Sequence, residues 1–482
     1  LARPARRGAG SLAKQSYDLL TVTAPNGKLT SNGLRGFLAR QRVDLSEKHS
    51  FAYGAASVLA KLSRRRELSL LGIDINTDEA AGQIAIEPTG LLARFMRKEA
   101  ARLTGNINEN RPIAMHNGGF VYTLYQPPVP SSQMVHSFSR VMVQGRRPPR
   151  PTTCTLQVTY RCQLDCRHCS AARFTTRDRA ELTTEHWLDT IQQAIDLGVY
   201  NIVFTGGEPL LRKDVFELVE SVDKERAQAS MFSNGILLTD ETAARLKEAG
   251  LYAIMVSLDD VRPEKHDEYR RIDGGFDQAC EGIARALDAG LLVGVSTYAC
   301  PEDVAEGRVE QMMELGAELG VHEITIFDTV PTGKLLPLEQ DQLLTPDDKA
   351  RIIEIMRDYN ERDGYPHVIA QAFVNGPEGA GCFAGFIQFY MTAYGDVNPC
   401  DFTPLTFGNI QDDSLENIWN RILGHDAYGE RSDHCRMQDP EFRAQYIDDI
   451  PEKVLLPWPA SDDVREQVHC PHAADGCHSC AE

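Results

Sequence analysis

Between residues 154 and 330 the chain repeats one pattern: a short apolar run of β character, a turn, then an amphipathic stretch of helical period. The runs TLQVTY, NIVFTGG, ASMFSNG, YAIMVSLD, LLVGVSTY and EITIFDTV read as strands, with helices expected near 184–197, 214–226, 240–249, 276–289 and 303–319. Strands that alternate with helices pair in parallel and are buried on both faces. Six such units predict an α/β core, a partial (β/α)6 TIM-like barrel. In such barrels the chemistry sits at the C-terminal ends of the strands.

At 482 residues the chain exceeds one domain, and its punctuation divides it into 1–150, 151–337 and 338–482. The proline-rich YQPPVPSS and GRRPPRPTT, at 125–132 and 145–153, bracket a linker into the barrel. Ahead of it, LRGFLARQRV and AASVLAKLSRRREL read as helices, and LSLLGIDI and AGQIAIEP as strands. TGLLARFMRKEAARL reads as an amphipathic helix with a Thr N-cap, which makes an α+β extension. After VPTGKLL, at 330–336, the barrel rhythm stops and a helix near 345–361 leads into a second α+β region.

The net charge of -19 excludes nucleic acid as the main partner, because phosphate binding needs a basic surface. Charge is uneven: residues 1–70 hold thirteen Lys and Arg against four Asp and Glu, and residues 401–482 hold six against seventeen. A basic N-terminal region suits an acidic peptide or lipid headgroups, although a solvated face is the commoner reason for such a bias. No apolar run approaches the ~18 residues of a membrane span, so any lipid contact is expected to be peripheral. Twelve cysteines gathered in two places, rather than spread as staples, point to metal binding in a reducing compartment, hence a cytoplasmic protein.

The first group is Cys162, Cys166 and Cys169, in YRCQLDCRHCS directly after the first barrel strand. Three thiolates at this spacing can wrap one face of a metal cluster and leave a coordination position open. Taken alone, they fit a zinc knuckle equally well. Companions follow at successive strand ends: Gly206, Gly207, Glu208 and Pro209, then Ser233, Asn234 and Gly235, then Ser257 and Asp259. Paired glycines let backbone approach a ligand, a carboxylate can meet a cationic amine, and the hydroxyl and carboxylate groups suit a ribose.

This set resembles the radical SAM enzymes, whose CxxxCxxC loop, GGEP stretch and ribose-contacting residues fall on the same strand ends; the resemblance covers roughly residues 150–335. It implies that Cys162, Cys166 and Cys169 hold a 4Fe-4S cluster whose open iron binds S-adenosylmethionine. Reductive cleavage would then release a 5'-deoxyadenosyl radical that abstracts hydrogen from substrate. It further implies contacts from Gly206, Gly207, Glu208, Pro209, Ser233, Asn234, Ser257 and Asp259, with His168 near adenine and Arg271 where relatives carry an arginine. An external reductant such as flavodoxin or ferredoxin is also implied.

The second group begins with Cys382, Gly395 and Cys400, spaced C-x12-G-x4-C. It is similar to the SPASM or shorter twitch extension of radical SAM enzymes, which holds an auxiliary iron-sulfur cluster. The usual later cysteines are replaced here by a solitary Cys435 and a tail with Cys470, Cys477 and Cys480. One auxiliary cluster on Cys382, Cys400 and Cys435 is expected, with a fourth ligand from the tail, from substrate or absent. The tail, with His469, His472 or His478, is the alternative second metal site. Cys154, Cys280 and Cys300 stand apart and read as ordinary buried thiols. The resemblance implies an oxidoreductase or maturase acting on a peptide or small metabolite. Alternatives are a lipid substrate, a non-catalytic iron-sulfur scaffold, and a polar methyltransferase, which would need no cysteine triplet.

Overall fold

The computed structural model describes residues 12–23, 67–90, 93–137, 149–172, 174, 179–337, 342–451, 454–461 and 464. Contacts divide the chain into two units, 1–147 and 148–482.

In the first unit, strands β1 (Leu12–Thr23), β2 (Glu67–Asp78) and β3 (Gln83–Thr89) form an antiparallel sheet in that order. β3 alternates buried Ile84 and Ile86 with exposed residues, the signature of a sheet with one face on a core. Helix α1 (Ala93–Asn108) supplies Ala100 to that core and closes the β3 edge with its side chains. Asn108 accepts from the Ile84 amide at 2.9 Å and donates to its carbonyl at 2.8 Å, and Thr104 accepts from the Ile86 amide. Backbone groups of an edge strand are thereby satisfied. A strand at 12–23 was not expected from sequence; the helices expected at 34–43 and 55–68 lie outside the described residues, save 67 and 68, which open β2. Residues 114–116 (β4) and 119–121 (β5) make a small hairpin.

The second unit contains the expected barrel sheet. Its strands are β6 (Thr153–Gln157), β7 (Asn201–Thr205), β8 (Gln228–Ser233), β9 (Ala253–Ser257), β10 (Leu292–Ala299) and β11 (Glu323–Asp328), each parallel to the next. Between them run α2 (Thr184–Leu197), α3 (Val215–Glu220), α4 (Asp240–Glu248), α5 (Pro263–Arg270), α6 (Gly275–Asp288), α7 (Pro301–Ala305) and α8 (Arg308–Leu319). Thr183 and Thr239 cap α2 and α4 by accepting from backbone amides in the first turn, which fixes where those helices start. The stretch expected as one helix over 303–319 is two, broken where Gly307 takes a positive φ of 71°.

The sheet is wider than six strands. It gains β12 (His367–Ala370) beside β11, after helix α9 (Pro346–Glu361), and on the other flank β13 (Gln388–Met391) pairs in parallel with β6 and carries antiparallel β14 (Val397–Asn398). Both additions come from the C-terminal region. Across the mouth, Phe402 meets Phe327 of β11 with ring centroids 6.3 Å apart, and the Thr332 hydroxyl donates to the Phe402 carbonyl at 2.9 Å. The C-terminal region therefore touches both flanks of the barrel.

Candidate functional site

A cavity of about 490 Å³ opens at the C-terminal ends of the barrel strands. Cys162, Cys166 and Cys169 line it together, from the loop after β6. That loop is held by two devices absent from the motif. Glu181 accepts from the Thr159 hydroxyl at 2.9 Å and from the Tyr160 amide at 2.7 Å. On the other side, Lys334 pairs with Asp165 and donates to the Cys166 carbonyl at 2.8 Å, while its amide donates to the Cys169 carbonyl at 3.1 Å. At the adjacent Gly333, φ 52°, an added Cβ would stand 2.2 Å from that same Cys169 carbonyl. The stretch VPTGKLL is thus a clasp on the cysteine loop.

Gly206 and Gly207 also line the cavity. A Cβ on Gly207 would lie 2.4 Å from the Arg161 carbonyl and 2.6 Å from that of Tyr160, so only glycine lets the two loops meet. Glu208 behaves differently from expectation. It is fully buried and its carboxylate accepts from the Asn234 amide, the Ser233 hydroxyl and the Leu210 amide, at 2.9, 3.0 and 3.1 Å. Burial pushes its carboxyl up to about 7, against those donors. It braces the end of β8 against β7; neither it nor buried Pro209 lines the cavity.

Ser233, Asn234, Ser257 and Asp259 do line it. The Asp259 carboxylate, expected to face a ribose, is instead gripped by Arg270 through Nε at 2.8 Å and Nη2 at 3.0 Å. The arginine that lines the cavity is likewise not the one expected. Arg270 is the last residue of α5, is buried and lines the cavity, whereas Arg271 turns to φ 56°, lies half exposed and pairs with Asp165 at 2.6 Å. One residue of helix termination decides which guanidinium points inward. His168 lines the cavity with its ring 4.6 Å from that of Tyr298 and its Nε2 3.5 Å from Asp259. Burial pushes the imidazole below its usual value, which keeps it neutral.

Buried polar atoms of the lining with no protein partner include His168 Nδ1, Asn234 Nδ2 and Asp328 Oδ1. Polar atoms left unpaired beside a cavity are fitted to a ligand. The three thiols, gathered on one loop beside the same cavity, fit a cluster. Burial raises Cys162 and pushes Cys166 up to about 11, each further raised by the neighbouring cysteines. Iron must therefore displace protons on binding.

In the C-terminal region β13 and β14 turn at Gly395, φ 90°, as the C-x12-G-x4-C spacing suggested. Cys382, Cys400 and Cys435 come together: burial pushes Cys400 up to about 12 with Cys382 adding to it, and Cys435 is raised by burial and by both of the others. Cys382 is anchored by its amide, which donates to the Ser432 carbonyl at 2.8 Å. Cys470, Cys477 and Cys480, with His469, His472 and His478, lie outside the described residues. The C-terminal region adds a wall to the cavity: Tyr390 of β13 lines it, as do Asp401 and Phe402, which directly follow Cys400 in sequence. That wall was not legible, because nothing in the sequence says that 388–391 joins the barrel sheet.

Comparison with known proteins agrees with this geometry. The radical SAM superfamily profile matches residues 156–316, and an iron-sulfur cluster-binding SPASM domain profile matches 382–436. An AdoMet-dependent heme synthase of Oleidesulfovibrio alaskensis is 27% identical over 353 residues, 67% of this chain and 90% of that protein. A PqqA peptide cyclase of Rhizobium meliloti is 26% identical over 309 residues, 61% of this chain and 81% of that protein. Among solved structures, Streptococcus suis SuiB bound to S-adenosylmethionine superposes with a TM-score of 0.51 at 15% identity, over 82% of this chain and 97% of that one, a likeness of fold.

Proposed function

Because this chain is a radical SAM enzyme with a C-terminal SPASM domain, we propose that it modifies a peptide held in the cavity between the cysteine loop and residues 390–402. Its radical SAM domain binds a 4Fe-4S cluster and S-adenosylmethionine, and its SPASM domain binds an auxiliary iron-sulfur cluster. The observation that carries the peptide reading is the cavity itself, about 490 Å³, lined by Cys162, Cys166 and Cys169 and by Tyr390, Asp401 and Phe402 of the C-terminal region. Relatives support it: the PqqA peptide cyclase by its name, and SuiB by a second structure described as bound to precursor peptide SuiA.

In this reading Cys162, Cys166 and Cys169 hold the core cluster, and Gly206 and Gly207 lay their backbone against the methionine moiety of S-adenosylmethionine. Ser233, Asn234 and Ser257 offer hydrogen bonds to its ribose, and neutral His168 faces its adenine. Arg270, neutralised by Asp259, is held rigid at the cavity edge. When bound, the core cluster supplies the electron that splits the sulfonium and so provides a radical able to take hydrogen from the substrate. The chain's own task is to orient the two partners and keep water out, which the aromatic wall of Tyr298, Phe327, Phe402 and Tyr390 serves. Cys382, Cys400 and Cys435 hold the auxiliary cluster, and flavodoxin or ferredoxin delivers the electron.

A second reading, a heme-forming reaction, is favoured by the heme synthase alignment, which takes in 90% of that relative. The test begins with anaerobically reconstituted full-length protein and a strong reductant. S-adenosylmethionine should yield 5'-deoxyadenosine and methionine, and Cys166→Ala should yield neither. No cleavage by the wild type, or undiminished cleavage by the variant, overturns the assignment of the cysteine loop.

A further inference from the structure

The cavity's charges do not balance. Its described lining contains the carboxylates of Asp165, Asp259, Asp328 and Asp401 and the cations Arg270 and Lys334. Both cations are already committed, Arg270 to Asp259 and Lys334 to Asp165. Asp401 is met by neutral donors, the Gln388 amide at 2.8 Å and the Thr155 hydroxyl. Asp328 is met by the Gln438 amide at 3.4 Å, with Lys349 of α9 at 3.6 Å, a residue that does not line the cavity. These two carboxylates neighbour in sequence the Phe327 and Phe402 rings, which are in contact across the mouth. The end of the cavity near Cys400 thus combines an apolar aromatic surface with one carboxylate, Asp401, that no cation meets, and a second, Asp328, whose Oδ2 pairs with Lys349 while its buried Oδ1 has no protein partner.

We propose that this end selects a cationic group on the substrate, a protonated amine or guanidinium, through Asp401 and Asp328. The proposal rests on the peptide reading above and narrows it: the segment that enters carries a Lys or Arg side chain, its alkyl stem along the phenylalanine rings and its head at the carboxylates. A partly desolvated carboxylate without a counter-charge is costly, and a substrate cation removes that cost. A substrate carboxylate would add a third like charge and be rejected.

The probes are capped heptapeptides with three alanines on either side of a central Lys, Arg, norleucine or Glu. They are titrated calorimetrically into anaerobically reconstituted full-length protein with S-adenosylmethionine present. The Lys and Arg peptides should bind about tenfold more tightly than the norleucine peptide, the worth of one charged hydrogen bond, and the Glu peptide most weakly. In Asp401→Asn and Asp328→Asn the ratio of Lys to norleucine affinity should fall toward one. Equal wild-type affinity for Lys and norleucine peptides, a preference for Glu, or a ratio that survives in both variants overturns the proposal; the wild-type comparison needs no variant to fold. Binding without charge preference counts against this proposal alone. No binding by any of the four counts against the peptide reading and takes this proposal with it.

Discussion

Asp259 and Glu208 are buried carboxylates with opposite pH signatures. Burial pushes Asp259 up, but Arg270, with His168, outweighs it and holds the carboxyl well below its usual range. Its stabilising contribution is therefore present above about pH 4 and lost as pH falls through the folded value. Asp259→Asn leaves Arg270 buried without its counter-charge and should cost about 3–5 kcal/mol in urea denaturation at pH 7, a gap that closes in acid as wild-type Asp259 protonates. Glu208 goes the other way: burial raises it to about 7, so its contribution is full below its ordinary value of 4.5 and is lost as pH rises toward 7. Glu208→Gln sets an amide donor against the Asn234 amide and should cost about 1–3 kcal/mol at pH 5. That deficit should shrink by pH 8, and urea midpoints that stay parallel over this range would refute the account. Both positions were legible from sequence as belonging to the site, but not their roles. A motif shows which residues gather at a strand end, whereas facing a ligand or bracing a neighbour depends on partners such as Arg270 and Ser233, contributed by other elements.

The clasp from residues 333–335 and the turn at Gly395 are short connections with large effects. Lys334→Ala would release the Cys166 carbonyl and leave Asp165 with its Arg271 pair, so iron of the core cluster should pass to a chelator severalfold faster than in wild type; an unchanged rate would mean that the clasp is incidental. Gly395→Ala forces a Cβ into a left-handed turn, 2.9 Å from Asn409 Oδ1, and should destabilise the protein by at least about 1 kcal/mol. The six barrel strands and the glycine turn were readable, because continuous apolar runs and a cysteine-to-glycine spacing are local signals. Helix α5 was not: HDEYRR offers no apolar stripe, and its end decides between Arg270 and Arg271. Nor was the reach of Lys334, whose partners lie 168 and 169 residues away.

β13 makes the two cysteine-bearing regions one sheet, so the C-terminal region is not a detachable module. A chain ending at residue 337 would leave the backbone of β6 unpaired along one side and should aggregate, as size-exclusion chromatography would show; a soluble monomer would mean that β13 is dispensable. Iron counts address the metal content of the whole. With Cys162, Cys166 and Cys169 all changed to Ala, about four irons should remain per chain, the complement of one auxiliary cluster. About eight would bring the tail cysteines into play, and none would remove the auxiliary cluster from Cys382, Cys400 and Cys435. The same pairing sets a timetable for biosynthesis. Thr153 leaves the ribosome 235 residues before Gln388, so the strand that leads into the cysteine loop waits while those residues are made, its flank open to any passing chain. A polypeptide stalled or cut in that interval exposes a template for wrong pairing, and the pocket meant for radical chemistry is walled only once residues 388–402 have followed.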